Sequence, residues 1–299
     1  MMTATGLPAR QATMRAQPHG TPGQCVVFWD YDTQWGADRT RNPGRRADWG
    51  TLEFEHTERL LDLLAEYDVR ACFAVVGAAA LSGARPYHDP QQIRRVHEAG
   101  HEIASHAFHH EWLPGLGPQA LRETLRHSKD ALEQCIGAEV VSFVPPYNQP
   151  FDYAAGASFS LAERREAGRV RTDLRRLCEA LRDVGFRVCR VAYRPLHLRL
   201  ADRVLGEWRR ERPRRPVQIA GVTCLRLNTP VGFASGAQAV LRRCATVGGV
   251  VVVYAHPHSL HAGNAQDEHR LVPFLAELRS RRRRGLVRLT LPRDLAQEE

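Results

Sequence analysis

The chain has 299 residues, 43% hydrophobic and 25% charged, which excludes a disordered polypeptide and fits one large domain or two small ones. Its formal net charge is +9, and every cation except Lys129 is arginine, a bias that anionic partners or a GC-rich genome would equally produce. No apolar run approaches the roughly 18 residues of a membrane span; no secretory leader is visible, and seven scattered cysteines (Cys25, Cys72, Cys135, Cys178, Cys189, Cys224, Cys244) without a C-x-x-C pair predict reduced thiols and a cytoplasmic location.

Residues 1–23 lack apolar periodicity and predict a flexible N-terminal arm, leaving 24–299 as one folded domain. Short apolar runs then predict strands at 25–29, 69–76, 101–105, 139–144, 186–193, 216–221, 249–255 and 286–291. Helical segments fall between them, near 52–67, 90–99, 117–136, 171–184, 235–246 and 267–283. Leu121, Leu125, Leu132 and Ile136, for example, recur on one helical face. Strands alternating with helices predict an α/β fold, an irregular (β/α)7–8 barrel of parallel strands in a single domain. An open doubly wound sheet is the alternative. The stretch 145–170 is long for a loop and is expected to carry substrate contacts.

In parallel α/β folds, chemistry gathers where strands end. Asp30 and Asp32 end the first predicted strand, and His106, His109 and His110 follow the third. Pro146, Tyr147 and Asn148 follow the fourth, and His256 and His258 follow the run at 249–255. His106 and His110 are four apart, a spacing that on a helical turn puts both imidazoles on one face and suits one metal ion. Alone, that match is weak in a chain with 14 histidines, where a satisfied surface or core pair is commoner. The carboxylates strengthen it. Asp30 and Asp32 alternate across a strand end, so one can ligate a metal while the other faces the attacking water.

Four segments together resemble the polysaccharide deacetylase superfamily (carbohydrate esterase family four), metal-dependent N-deacetylases of chitin oligomers, peptidoglycan and related amino sugars. They are FWDYDTQWG (28–36), GHEIASHAFHH (100–110), FVPPYN (143–148) and VVVYAHPH (251–258). The resemblance implies Asp32, His106 and His110 as ligands of one divalent ion, zinc first, with cobalt, manganese, nickel or iron as alternatives. It implies Asp30 as the base that activates water and His256 as the acid that protonates the departing amine, with His258 the close alternative. Tyr147 would donate a main-chain N–H to the oxyanion, on a turn stiffened by Pro145 and Pro146. Further substrate contacts are expected at Trp35, Pro146, Asn148, Arg194 and His258.

The chain also departs from the family pattern. The first motif is D-Y-D rather than adjacent aspartates, which leaves base and ligand open between Asp30 and Asp32. The third-motif arginine that orients the base is Val144 here, with Arg194 the candidate replacement. The aspartate that usually pairs with the acid histidine has no clear match; Asp152, Asp202 and Asp294 are equal candidates.

Other residues have plainer readings. His101 reads as a strand-edge contact, and His109 points about 100° away from His110 on a helix, so it reads as a residue behind the ligands or in solvent and not as a ligand. Trp35 and Tyr147 either stack on a sugar or pack. The arginine runs at 208–216 and 279–284 lack aromatic interleaving, so nucleic acid is not an expected partner. The expected activity is metal-dependent removal of an N-acetyl or related N-acyl group from an amino sugar or glycan precursor. A cytoplasmic enzyme does not reach a mature wall polymer, so the expected substrate is small or carrier-linked. The alternatives are hydrolysis of another C–N bond, in a formamide or cyclic ureide, and a non-catalytic carbohydrate-binding barrel.

Overall fold

The run Cys25–Trp29 is buried on both faces, which is why it reads as an unbroken apolar string rather than an alternating one. It is the centre of β1 (Gly23–Tyr31) in a computed structural model that describes residues 21–39, 49–148, 174–192, 212–261 and 263–296. Eight more strands follow: β2 (Cys72–Val75), β3 (Glu102–Ser105), β4 (Ser142–Phe143), β5 (Val188–Val191), β6 (Val217–Ile219), β7 (Val222–Arg226), β8 (Val250–Ala255) and β9 (Val287–Leu289). The sheet order is β6-β7-β5-β4-β3-β2-β1-β8, with β9 also on β1, and every pair is parallel except the β6–β7 hairpin.

The helices are α1 (Thr33–Arg39), α2 (Trp49–Glu66), α3 (Pro90–Glu98), α4 (Pro118–Ile136), α5 (Leu174–Val184), α6 (Ser235–Val247), α7 (Glu268–Arg283) and α8 (Pro292–Leu295). Asp89 caps α3 and Asp267 caps α7, each accepting from a main-chain N–H three residues on. Strand parity divides the core. Cys25, Val27, Trp29 and Tyr31 of β1 pack toward the helices, with Phe54, Leu60, Phe274 and Leu275 among their company. Val26 and Phe28 face the other way, into a smaller cluster with Cys72, Ala74, Ala104, Val188, Leu225 and Val252. The same two-residue period puts Asp30 on that inner face.

The mostly parallel α/β sheet matches the expected class, but strand pairing does not close it. The edge of β8 is covered instead by segments flanking the β6–β7 hairpin. Arg214 exchanges two main-chain hydrogen bonds with Val250, of 2.9 and 3.0 Å. The buried amide of Asn228 donates to Val250 O (2.8 Å) and accepts from Val252 N (2.9 Å), and Thr229 Oγ1 donates to Val252 O (2.8 Å). A strand edge is thereby satisfied without a ninth neighbour.

Several boundaries differ from the sequence expectation. The run at 216–221 is an outer antiparallel strand, and its partner β7 was not expected at all. Ala220 and Gly221, both at positive φ (+50° and +83°), form the tight turn that makes the hairpin. Gly23, expected to close the N-terminal arm, pairs with Val287 of β9; residues 1–20 lie outside the described residues. So do Asp152, Arg194, Asp202 and most of the 145–170 stretch. Among the described residues no helix is long and apolar enough to cross a membrane.

Candidate metal centre and active site

Asp32 sits just beyond β1, where the chain turns into α1 through Thr33 at φ +53°. Gly36 N donates back to Asp32 O, and a Cβ on Gly36 would lie 2.5 Å from the Asp32 Cβ. The helix start therefore closes directly over this carboxylate. His106 and His110 come from the loop after β3. That loop is irregular, with Ala107 at φ +62° and His110 at φ +58°, so the four-residue spacing works through a tight non-helical turn and not the helical one expected from sequence. His106 Nδ1 donates to Val144 O at 2.7 Å, which turns its Nε2 toward Asp32.

Asp32 Oδ1 lies 3.3 Å from His106 Nε2 and 3.6 Å from His110 Nε2. All three residues are buried, their ligand atoms lie within 4.8 Å of one another, and Asp32 Oδ1 has no hydrogen-bond partner. Donors bonded tetrahedrally at about 2.1 Å to one ion stand about 3.4 Å apart, so the set fits a divalent metal. Burial opposes ionisation of Asp32, but His110, His106 and His256 overcome it and hold the carboxyl well below its usual range. Burial pushes His110 down to about 4. Both shifts favour the ligating forms, carboxylate and neutral imidazole.

Asp30, on the inner face of β1, is gripped from across the sheet. Arg190 of β5 donates from Nη1 to Oδ1 and from Nη2 to Oδ2, both at 2.6 Å. Burial pushes the Asp30 carboxyl up, and the guanidinium more than offsets it, so the group is held below its ordinary value. Arg190 Nη2 also donates to Asn148 Oδ1 (2.9 Å), and Asn148 Nδ2 donates to Tyr254 OH (3.2 Å). Asn148 thus braces the clamp. Arg190 fills the place expected of Arg194, and sequence reasoning missed it. The available signal was parity, since Arg190 is two residues from the inner-facing Val188.

His256 and His258 part company. His256 Nε2 is 3.9 Å from both Asp30 Oδ2 and Asp32 Oδ2, and the residue is 23% exposed in its side chain. Gln266 Oε1 accepts from the His256 main-chain N–H at 2.8 Å and stands 2.9 Å from Nδ1. An oxygen already accepting there requires Nδ1 to carry a proton, and the ring then turns Nε2 toward the two carboxylates. The orienting partner is thus the Gln266 amide, where a carboxylate was expected. Asp294 accepts instead from Leu291 N at the start of α8. His258 turns away to Glu53, with Nδ1 3.4 Å from Oε2, and stacks face to face with Trp49 at 4.4 Å. Glu53, on α2 and fully buried, was not anticipated; burial and the Asp32 charge push its carboxyl well above the usual range.

The remaining candidates surround this centre. Tyr147 (φ +59°) and Asn148 (φ +53°) form the turn after β4, beside buried Pro146, and the Tyr147 ring meets His110 edge-on at 4.6 Å. Trp35 packs among Tyr87, His88 and His109, at ring distances of 5.1, 5.8 and 4.6 Å. His109 is held in that cluster, outside the ligand set, with Nδ1 3.7 Å from Glu111 Oε1. His101 is a buried edge contact whose Nδ1 accepts from Ala71 N (3.1 Å).

Parallel strands with a buried Asp-His-His set at their C-terminal ends define an α/β barrel with a candidate metal centre. A family model described as polysaccharide deacetylase matches residues 48–161. Chitin deacetylase 2 of Cryptococcus neoformans var. grubii is 28% identical over 153 residues, 44% of this chain and 32% of the relative. Chitooligosaccharide deacetylase of Sinorhizobium fredii is 36% identical over 92 residues, 30% of this chain and 40% of the relative. The chain thus spans less than half the length of these curated relatives. The fold is shared with a proposed polysaccharide deacetylase from Mycobacterium smegmatis, at TM-score 0.62 and 18% identity over 96% of this chain and 93% of that one. Over residues 48–161 the chain is thus similar to the polysaccharide deacetylase family, and its fold is that of the Mycobacterium smegmatis protein.

Proposed function

We propose that the protein is a metal-dependent hydrolase that removes an N-acetyl or related N-acyl group from an amino sugar. The observation that carries this reading is the buried triangle of Asp32, His106 and His110, flanked by Asp30 and His256. The names of its relatives, deacetylases of chitin and chitooligosaccharides, support an acylated amino sugar as substrate class. A divalent ion held by the triangle would supply Lewis acidity, bringing the pKa of water toward about 7 and polarising the acyl carbonyl. Zinc suits the mixed imidazole and carboxylate donors.

The chain's own residues then divide the remaining work. Arg190 fixes Asp30 in one orientation, so that its carboxylate can receive a proton from the attacking water. Protonated at both nitrogens, with its Nδ1–H held by Gln266, His256 would give its Nε2 proton to the departing nitrogen, since an amide anion is too poor a leaving group. The main chain at Tyr147 supplies an N–H to the oxyanion. Seven buried cysteines without a disulfide are consistent with a reducing compartment, where a small or carrier-linked amino sugar is the accessible form.

Metal analysis of the purified protein and acetate release from N-acetylated amino sugars test the proposal together. The expected result is a divalent metal lost in Asp32→Ala and His106→Ala, with acetate release lost alongside. Activity that survives removal of both ligands sinks the proposal. Release from N-formyl or cyclic ureide substrates alone would replace the substrate class and keep the metal chemistry.

A further inference from the structure

Glutamates on amphipathic helices normally face water, yet Glu53 of α2 is 0% exposed. Its two oxygens are spent on the main chain of two other segments. Oε2 accepts from Asp32 N and Thr33 N, each at 3.1 Å, and Oε1 accepts from His258 N at 3.3 Å. The same helical face makes two further contacts with the turn after β8. Trp49 stacks on the His258 ring with planes 2° apart, and His56 Nδ1 donates to Pro257 O at 3.0 Å. Residues 49, 53 and 56 are neighbours at helical spacing, so one rigid face holds both the end of β1 and the turn that carries His256.

The turn at Asp32-Thr33 needs such a hold. Thr33 is β-branched and sits at positive φ, a conformation it persists in only when its surroundings over-determine it. Releasing the two N–H groups would let Thr33 relax toward ordinary backbone and swing the Asp32 carboxylate away from His106 and His110.

We infer that Glu53 is a positioning residue that fixes the Asp32 ligand and the histidine-bearing turn relative to each other through main-chain hydrogen bonds. It touches neither substrate nor metal. The inference rests on the metal centre of the proposed function, but not on which acyl sugar is turned over.

Co2+ serves as the probe, with affinity measured by chelator competition and geometry by the visible absorption of the bound ion. Glu53→Ala should weaken Co2+ binding by about 10–100-fold, the usual effect of removing a group that orients a ligand, and should alter the absorption spectrum. Glu53→Gln keeps a carbonyl oxygen for Asp32 N and Thr33 N while turning an amide donor toward His258 N. Its Co2+ affinity should stay within about threefold of the parent, with kcat lowered and KM little changed. If Glu53→Ala does not fold, Glu53→Asp carries the test, because it keeps the carboxyl group and withdraws the oxygens by about 1.5 Å. Unchanged affinity and spectrum in a folded Glu53→Ala or Glu53→Asp overturns the inference, as does equal loss in Glu53→Gln and Glu53→Ala. A parent that binds Co2+ tightly but releases no acyl group refutes the deacetylase reading and leaves this one standing.

Discussion

Arg190 and Asp30 lie on strands β5 and β1, with three strands between them in the sheet, and meet through two parallel 2.6 Å hydrogen bonds at 1% and 3% exposure. Two charges so deeply buried are tolerated only as a pair, here joined through both carboxylate oxygens. Arg190→Met should strand the carboxylate and cost about 3–5 kcal/mol of unfolding free energy. Arg190→Lys should recover little, because a point charge cannot serve both Asp30 oxygens and Asn148 at once. The double variant Asp30→Asn/Arg190→Met should be more stable than Arg190→Met alone. Urea unfolding of the parent, Asp30→Asn, Arg190→Met and the double variant measures the coupling, and additive losses would show that the pair is not energetically linked.

Gly36 is needed for space alone, since its φ lies outside the left-handed region. A methyl group there would stand 2.5 Å from the Asp32 Cβ and 3.3 Å from Oδ2. Gly36→Ala should therefore leave helix α1 intact while displacing the carboxylate, with metal affinity falling by about tenfold or more. The expected melting temperature of the metal-stripped protein is little changed. A metal affinity equal to that of the parent would mean the turn relaxes without moving Asp32.

How much of this could be read from the sequence depended on whether a residue's role was local. Asp30, Asp32, His106 and His110 stand out because polar side chains at the ends of apolar strands break the run. Parity puts Asp30 on the inner face, and it would have found Arg190 two residues from the inner-facing Val188. That residue was hidden in FRVCRVAY because arginine is everywhere in this chain. Glu53 was hidden for the opposite reason. Glu55 and Glu58 on the same helix are exposed, and nothing local marks Glu53, two residues before Glu55, as a bridge to Asp32 and His258. Gln266 lies ten residues beyond His256 in a loop, where no periodicity announces a partner. β7 was missed because its hairpin turn, Ala220-Gly221, breaks an apolar run that otherwise reads as one strand.

His101 and Glu102 are adjacent, buried and shifted in ways that oppose each other. Burial lowers His101 from 6.5 to about 4, so its contribution to stability is present above pH 6.5 and lost as pH falls through about 4. Burial raises Glu102 from 4.5 to about 7, so its contribution is full below pH 4.5 and lost as pH rises through about 7. Glu102→Gln keeps a group able to accept from Ser142 Oγ and removes the second titration. At pH 8 this variant should be more stable than the parent by up to about 3 kcal/mol, a gap that closes toward pH 4.5. Thermal melts across that range decide it; a gap independent of pH would place the Glu102 titration elsewhere.

Asn228 closes the barrel where no strand does. Its amide is 0% exposed and serves both Val250 O and Val252 N, in the geometry a neighbouring strand would otherwise provide. Val250 O retains Arg214 N as a donor if the amide is lost, whereas Val252 N has Asn228 Oδ1 as its acceptor on that edge. Asn228→Ala should thus orphan one buried N–H and open a small cavity, costing about 2–4 kcal/mol. Asn228→Asp should be at least as damaging, since the carboxylate can accept from Val252 N but must face the Val250 carbonyl without a proton. Hydrogen exchange provides the local readout, with the Val252 amide exchanging faster in Asn228→Ala than the global loss of stability explains. If Val252 remains as protected as its neighbours in β8, the edge is held by the Arg214 bridge and Thr229, and Asn228 is dispensable to closure.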